Sequence, residues 1–461
     1  MFDARSASSI LEFAKKLKNK KLREVCSKLI EQHTYKGKGN FGQLLEKYYF
    51  GYEPNSAASP DFEEAGIELK SSPLKKLKNG TYRSKERLVL NIINYLEAHK
   101  ETFNKSSFWK KNAHLLLIFY LYEKESDILD YEIKLVAEWQ YPEEDLKVMA
   151  HDWEVINQKI KSGKAHELSE GDTFYLGACT KGSTAAKSLR SQPFSTELAK
   201  QRAYCLKQGY VNHIIAQISE SEEDIYGKII EQPSILVTGN SLQEIVLAKF
   251  EPFYEKSVEE ITEYFRLDLN KNAKNYFASI TNSILGVQLG KRIAEFEKAD
   301  IIVKTVRLKE NNLPKEDISF PNFKYEEIVD TDWDNSDFKH ILESKFFFVF
   351  YQFKGQKLVL KKVRFWNMPY ADILKAKLVW DDTVACLKEG RIVKEVLANG
   401  KRKSYFPNKS NYKVSHVRPH AKNNADTYPL PVADKLTGLM VYTKHCFWLN
   451  AGYVRDAIYL I

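Results

Sequence analysis

The sequence predicts a mixed α/β protein of two tandem domains, each a mixed sheet flanked by helices. Three observations lead there. Short runs that alternate with a period of two, bounded by Gly, Pro, Asn or Ser, alternate with segments whose apolar residues recur at helical spacing. The landmarks of the first half recur in order in the second. Finally, 461 residues exceed what one ordinary hydrophobic core supports.

The elements of the first half follow in order. In "KGNFGQLLEKYYF", Leu44, Leu45, Tyr48 and Tyr49 lie at helical spacing, with Glu46 on the same segment. "GIELKSS", bounded by Gly66 and Pro73, alternates Ile67 and Leu69 against Glu68 and Lys70, which reads as a strand. "ERLVLNIINYL", "NAHLLLIFYLY" and "LDYEIKLVAEW" give three more candidate strands. A helix from about Glu143 to Ile160 follows, with Trp153 and Ile156 on its apolar side.

Composition narrows the function classes. The hydrophobic fraction of 43% and charged fraction of 28% are those of a soluble globular protein. The longest apolar runs, "HLLLIFYLY" and "KFFFVFYQF", are too short to span a bilayer, so no membrane span is expected. The N-terminal stretch is charged from the start and lacks a secretory apolar region, which makes cytoplasmic residence the expectation. Cys26, Cys179, Cys205, Cys386 and Cys446 are scattered without CxxC pairing and read as reduced, buried thiols. His166, His416, His420 and His445 lack zinc-site spacing, and Trp366 and Trp448 read as core aromatics. The net charge of +9 is compatible with nucleic acid. Clustering of Lys75, Lys76, Lys78, Arg83, Lys85 and Arg87 right after "GIELKSS" sharpens that hint toward phosphate contacts.

The chemistry sits in "PDFEEAGIELK". A period of two places Glu68 and Lys70 on one strand face while Ile67 and Leu69 enter the core. Asp61 lies on the preceding segment, close enough to fold back towards Glu68. Two carboxylates and the Leu69 carbonyl make an oxygen-rich site of the kind that holds Mg²⁺. Lys70 is placed to orient or deprotonate an attacking water and to neutralise charge on a phosphate. The bland alternative is an edge strand with an ordinary Glu and Lys turned outward. No serine-nucleophile, phosphate-loop or dinucleotide motif is present.

The stretch "GNFGQLLEKYYFG…SPDFEEAGIELKSSPLKKLKNG…SKERLVLNIINY" resembles the MutH mismatch-repair endonuclease and, more closely, the GATC-cutting type II restriction enzymes of the Sau type. Both belong to the PD-(D/E)xK nuclease superfamily. The resemblance continues through "GKAHELSEGDTFYLGACTKG" and "KQRAYCLKQGYV", and for the Sau type through "FWNMPY", "HVRPHAKN" and "CFWLN". It therefore covers nearly the whole chain. It implies that Asp61, Glu68 and Lys70 are the catalytic set, with Glu46 an accessory acid near the metal. Lys181 falls where the family contacts DNA, although "ACTKG" stands where MutH has an Arg-Pro-Lys pattern. Recognition of 5′-GATC-3′, cleavage ahead of the G, and a companion methyltransferase are likewise what the resemblance implies.

"EFEKADIIVKTVRLKEN" repeats "DFEEAGIELKSSPLKKL", matching Phe62 with Phe296, Ala65 with Ala299, Ile67 with Ile301 and Lys70 with Lys304. "KFFFVFYQF" parallels "HLLLIFYLY", "LVWDDTVACLKEG" parallels "HDWEVINQKIKSG", "HAKNNADTYPL" parallels "HELSEGDTFYLG", and "HCFWLNAGYV" parallels "QRAYCLKQGYV". A period this long is a domain duplication. Glu295 stands for Asp61 and Ile302 for Glu68, so the second copy loses a metal ligand and is expected not to cleave. The connection is expected near residues 218–234, giving a catalytic MutH-like domain over 1–220 and a degenerate DNA-binding or effector domain over 235–461. In the latter, Arg418, His420 and Lys422 of "HVRPHAK" are the candidate DNA contacts.

The sequence thus reads as a Mg²⁺-dependent type II restriction endonuclease acting on double-stranded DNA, with a homodimer on DNA one way to cut both strands. A strand-nicking mismatch-repair endonuclease is the alternative enzyme, and a non-catalytic DNA-binding regulator the alternative class.

Overall fold

The structure is a computed structural model that describes residues 2–26, 40–54, 58–181, 188–219, 225–230 and 241–461. Its contacts group the chain into two units, Met1–Ile245 with Gly286–Ile301, and Val246–Leu285 with Ile302–Ile461. The expected boundaries ran continuously along the sequence; residues 286–301 instead pack with the first unit. Much of the expected connection, 220–224 and 231–234, lies outside the described residues. Of its remainder, Tyr226–Gly227 pairs in parallel with Arg292–Ile293 inside the first unit.

In the first unit, helix α1 (Asn40–Leu44) runs on into a π-helical turn, Leu45–Phe50, ended by Gly51 at φ +81°. Strands β1 (Glu68–Lys76), β2 (Tyr82–Ser84) and β3 (Leu88–Ile92) follow, then helix α2 (Ser107–Asn112) and strands β4 (His114–Leu121) and β5 (Ile133–Gln140). The main sheet has the order β2-β1-β4-β5, with β1 parallel to β4 and the other pairs antiparallel. β4 is buried from Leu115 to Tyr120, as its unbroken apolar run requires of a strand covered on both faces. Helix α3 (Glu143–Lys161) buries Trp153, Ile156 and Ile160, and places Glu143, Glu144 and Asp145 in its first turn and Lys159 and Lys161 in its last, matching the helix dipole. Strands β6 (Leu176–Thr180), β7 (Leu189–Gln192), β8 (Ser195–Lys200) and β9 (Arg202–Leu206) lead into helix α4 (Gln208–Ile218), and β3-β9-β6 form a second, antiparallel sheet.

The second unit repeats this plan. Strands β10 (Ile302–Leu308), β11 (Ile318–Asn322), β12 (Phe346–Lys354) and β13 (Lys357–Trp366) precede helix α5 (Tyr370–Lys388), strands β14 (Ser415–Pro419) and β15 (His445–Leu449), and helix α6 (Ala451–Val454). The order β10-β12-β13 reproduces β1-β4-β5, and β11-β15-β14 reproduces β3-β9-β6. Helices α3 and α5 each have 19 residues and each follow a proline, Pro142 or Pro369. The duplication read from the sequence is therefore a duplication of architecture.

One expected correspondence shifts. The residue pattern matches "HAKNNADTYPL" with "HELSEGDTFYLG", but Ser415 pairs with Leu449 as Leu176 pairs with Leu206, so "SHVRP" is the counterpart of β6. Thr427–Pro429 lies instead in a two-stranded excursion with Val441–Thr443. The two segments share His, Asp, Thr and Tyr but not strand register. Among the described residues, no helix is long and apolar enough to cross a membrane. All five cysteines are buried and unbridged.

Candidate active site

The six-residue interval between Asp61 and Glu68 is the length of one tight return. Phe62 and Ile67 exchange backbone hydrogen bonds of 2.9 and 3.2 Å across a 3-10 turn, Glu63–Ala65, closed by Gly66 at φ +69°. That conformation suits glycine. The return sets Asp61 beside the start of β1: its N–H donates to Glu68 Oε2 at 3.1 Å, and the Leu69 N–H donates to Asp61 Oδ2 at 2.9 Å. Lys70 Nζ donates to Glu68 Oε1 at 2.6 Å on the same strand face. Ile67 and Leu69 are buried in the core, so the backbone of Leu69 is fixed between the two acids.

Lys111, on α2, was not singled out from the sequence. Its Nζ lies 3.6 Å from Glu68 Oε1 and donates to the Ser59 carbonyl at 3.1 Å. Nothing in "SFWKKN" marks it; only the packing of α2 brings it to the site. Glu46, from the π-helical turn, is raised to about 7, by burial first and then by the charge of Asp61, against the opposing pull of Lys70. Glu68 is raised by burial, with Lys70 working the other way. The site is thus a desolvated group of carboxylates tempered by two ammonium groups.

That donor set fits a hard divalent cation. Asp61 and Glu68 offer carboxylate oxygens and Leu69 a carbonyl, and the mutual repulsion felt at Glu46 is what a cation relieves. Among the described residues no group of three or more His, Cys, Asp or Glu side chains is gathered on one point. Two carboxylates and one carbonyl are few protein ligands, which suits a cation that keeps several waters.

The other expected residues lie elsewhere. Lys181 directly follows β6 and is exposed; its N–H donates to the Gln201 carbonyl. The start of β6 is held by the buried Asp152 of α3, whose carboxylate accepts from the N–H groups of Phe174, Tyr175 and Leu176 at 2.6 to 2.9 Å. Arg418, His420 and Lys422 belong to the second unit. The Arg418 guanidinium stacks on Trp448, 3.9 Å from the ring centroid, and reaches Asp317 at 3.4 Å. His420 Nδ1 lies 3.1 Å from Asn322 Oδ1. Lys422 is exposed, its N–H bonded to Asp426. By strand register His420 is the counterpart of Lys181, each directly following its strand. Glu295, the counterpart of Asp61, accepts from the N–H groups of Ile229 and Ile230. Lys304 lies 5.8 Å from the Phe320 ring centroid, its pKa lowered by burial.

Comparison with known proteins agrees with this architecture. The family model for the DNA mismatch repair enzyme MutH matches residues 50–152, the span holding Asp61, Glu68, Lys70 and Lys111. The type II restriction enzyme Sau3AI of Staphylococcus aureus is 38% identical over 459 residues, covering 91% of this chain and 92% of that protein. The mismatch repair protein MutH of Vibrio campbellii is 25% identical over 201 residues, 42% of this chain and 84% of its own, and that of Shewanella woodyi 26% identical over 182 residues, 39% and 77%. With identity at that level running through both copies of the fold, the chain belongs to the family of MutH-like type II restriction endonucleases.

Proposed function

We propose that the chain is a Mg²⁺-dependent restriction endonuclease that makes double-strand breaks at 5′-GATC-3′, with the first unit catalytic and the second a DNA-binding effector. The observation that carries this is the return that sets Asp61 against Glu68 and Leu69, with Lys70 bonded to Glu68. Asp61, Glu68 and the Leu69 carbonyl would hold the metal, which when bound supplies charge stabilisation and water activation. Lys70 sets its side-chain nitrogen beside the acids, where it orients the attacking water and meets charge on the phosphate. Lys111 shares the neutralisation of Glu68, and Glu46, raised to about 7, is an accessory acid. Lys181 in the first unit and Arg418, His420 and Lys422 in the second are the proposed DNA contacts, the latter for an effector copy of the site. Sau3AI, named as a type II restriction enzyme, supports the double-strand outcome. Double-stranded DNA is the substrate, two chains pair on it to cut both strands, a companion methyltransferase protects host DNA, and the setting is cytoplasmic.

Plasmid digestion with Mg²⁺ and mapping of the ends tests the reading. Fixed double-strand ends at GATC are expected. Nicks alone would favour the repair-type enzyme, and a mobility shift without cutting a regulator.

A further inference from the structure

Tyr52 emerges from the π-helical turn that carries Glu46, and the two backbones are tied: the Tyr52 N–H donates to the Glu46 carbonyl at 3.1 Å. Its ring packs edge-on against Phe62, centroids 5.5 Å apart, and Phe62 is the chain neighbour of Asp61. Held at both ends, the phenol hydroxyl is enclosed and has no hydrogen-bond partner among the described residues. An orphaned buried hydroxyl costs the folded state its full desolvation, and native proteins keep few of them. Phenylalanine would pack equally well without that cost.

The surroundings supply a reason. The charges of Asp61, Glu46 and Glu68, in that order, act on this hydroxyl, and a neutral phenol can donate to a carboxylate. Asp61 Oδ2 accepts from the Leu69 N–H, and no other hydrogen bond reaches the Asp61 side chain among the described residues.

We propose that Tyr52 is a positioning residue of the nuclease site, its hydroxyl donating to the free oxygen of Asp61 and fixing that carboxylate in the metal-loaded, DNA-bound state. The inference rests on the reading of Asp61, Glu68 and Lys70 as that site. A donor behind a metal-binding carboxylate restrains its orientation, and losing such a partner typically lowers metal affinity or activity about 10- to 100-fold.

Tyr52→Phe removes one oxygen and tests the idea in the full chain. The metal-free variant is expected to melt at the same temperature or higher, because the orphan is gone, and to bind a GATC duplex in Ca²⁺ as the parent does. Its single-turnover cleavage is expected to fall about tenfold, with a higher Mg²⁺ concentration at half-maximal rate. An unchanged rate and Mg²⁺ dependence would overturn the proposal, as would a lower Tm accompanied by weaker DNA binding. Glu68→Ala separates the two levels of inference. If it cuts at the parental rate, the site reading itself fails; if it is dead while Tyr52→Phe is unaltered, only the role of Tyr52 fails.

Discussion

Glu68 and Ile302 occupy one position in two copies of the same sheet: Glu68 pairs with Leu115 on its parallel neighbour and Ile302 with Phe346 on its own. Two residues further on, Lys70 pairs with Leu117 and Lys304 with Phe348. The lysine is retained and the carboxylate is not. An alkyl side chain cannot ligate a metal, so Lys304 has no activated water to assist. Lys304→Ala is therefore expected to leave the chemical step unchanged, measured with prebound enzyme and saturating DNA. Loss of that step would show the second unit to be catalytically engaged.

In the first unit the same register position carries the proposed metal ligand. Glu68→Ala removes the acceptor of Lys70 and the neighbour of Lys111, and Lys70→Ala removes the ammonium 2.6 Å from Glu68. Each is expected to lower single-turnover cleavage by about 10²-fold or more, because Glu68 is a proposed metal ligand and Lys70 orients the attacking water. Lys111→Ala should cost less than Lys70→Ala, because Lys111 stands off at 3.6 Å. DNA affinity in Ca²⁺, measured by filter binding, should survive all three, since Ca²⁺ tolerates irregular coordination but activates water poorly. Comparable cutting by Lys70→Ala would place the chemistry elsewhere.

How far this was legible in the sequence depends on the range of the contact. The strand from Glu68, the apolar run from Leu115 and the helix from Glu143 announce themselves through local periodicity, and the structure has all three. Asp61 and Glu68 are legible together because their link is a single turn with a glycine at positive φ. Lys111 was not, because its neighbour Glu68 is on another element and only tertiary packing joins them. The π-helical turn at Glu46 leaves no mark in a 3.6-residue pattern either. The parallel drawn for "HAKNNADTYPL" failed for the opposite reason: residue identities recurred where hydrogen-bond register did not.

Two histidines, His445 buried and His213 half-buried, make stability pH-dependent. Burial lowers His445 to about 4, and burial with the charges of Lys298 and Lys228 lowers His213 to about 3. Both stay neutral in the fold, while in the unfolded chain they take up a proton near the ordinary value of 6.5. The unfolded state therefore binds more protons below that value, and stability falls as pH drops from about 6.5 towards about 4. Denaturation midpoints measured across this window should decline, and His445→Gln should flatten the decline. An unchanged slope in His445→Gln would remove His445 from the account.

The last expectation concerns the retained second unit. One chain holds one complete Asp61, Glu68, Lys70 set, yet a double-strand break needs two cleavages, so chains must pair or act twice. The Arg418 guanidinium lies over the Trp448 ring, and its anionic neighbour Asp317 is shared with Lys409, which leaves net positive charge on an exposed edge. A stacked guanidinium is preorganised for bidentate contact with guanine or phosphate, which a lysine does not reproduce. If this surface holds a second GATC copy, tethering raises the local concentration of substrate without any new catalytic group, and plasmids with two sites should be cut about tenfold faster than one-site plasmids. Arg418→Ala and Arg418→Lys should both erase that advantage while leaving nicking of a one-site plasmid intact. Point substitution is the proper test, because residues 286–301 pack with the first unit and truncation after residue 234 would remove part of that unit. Equal rates on both plasmids, unmoved by Arg418→Ala, would leave the second unit as a structural support.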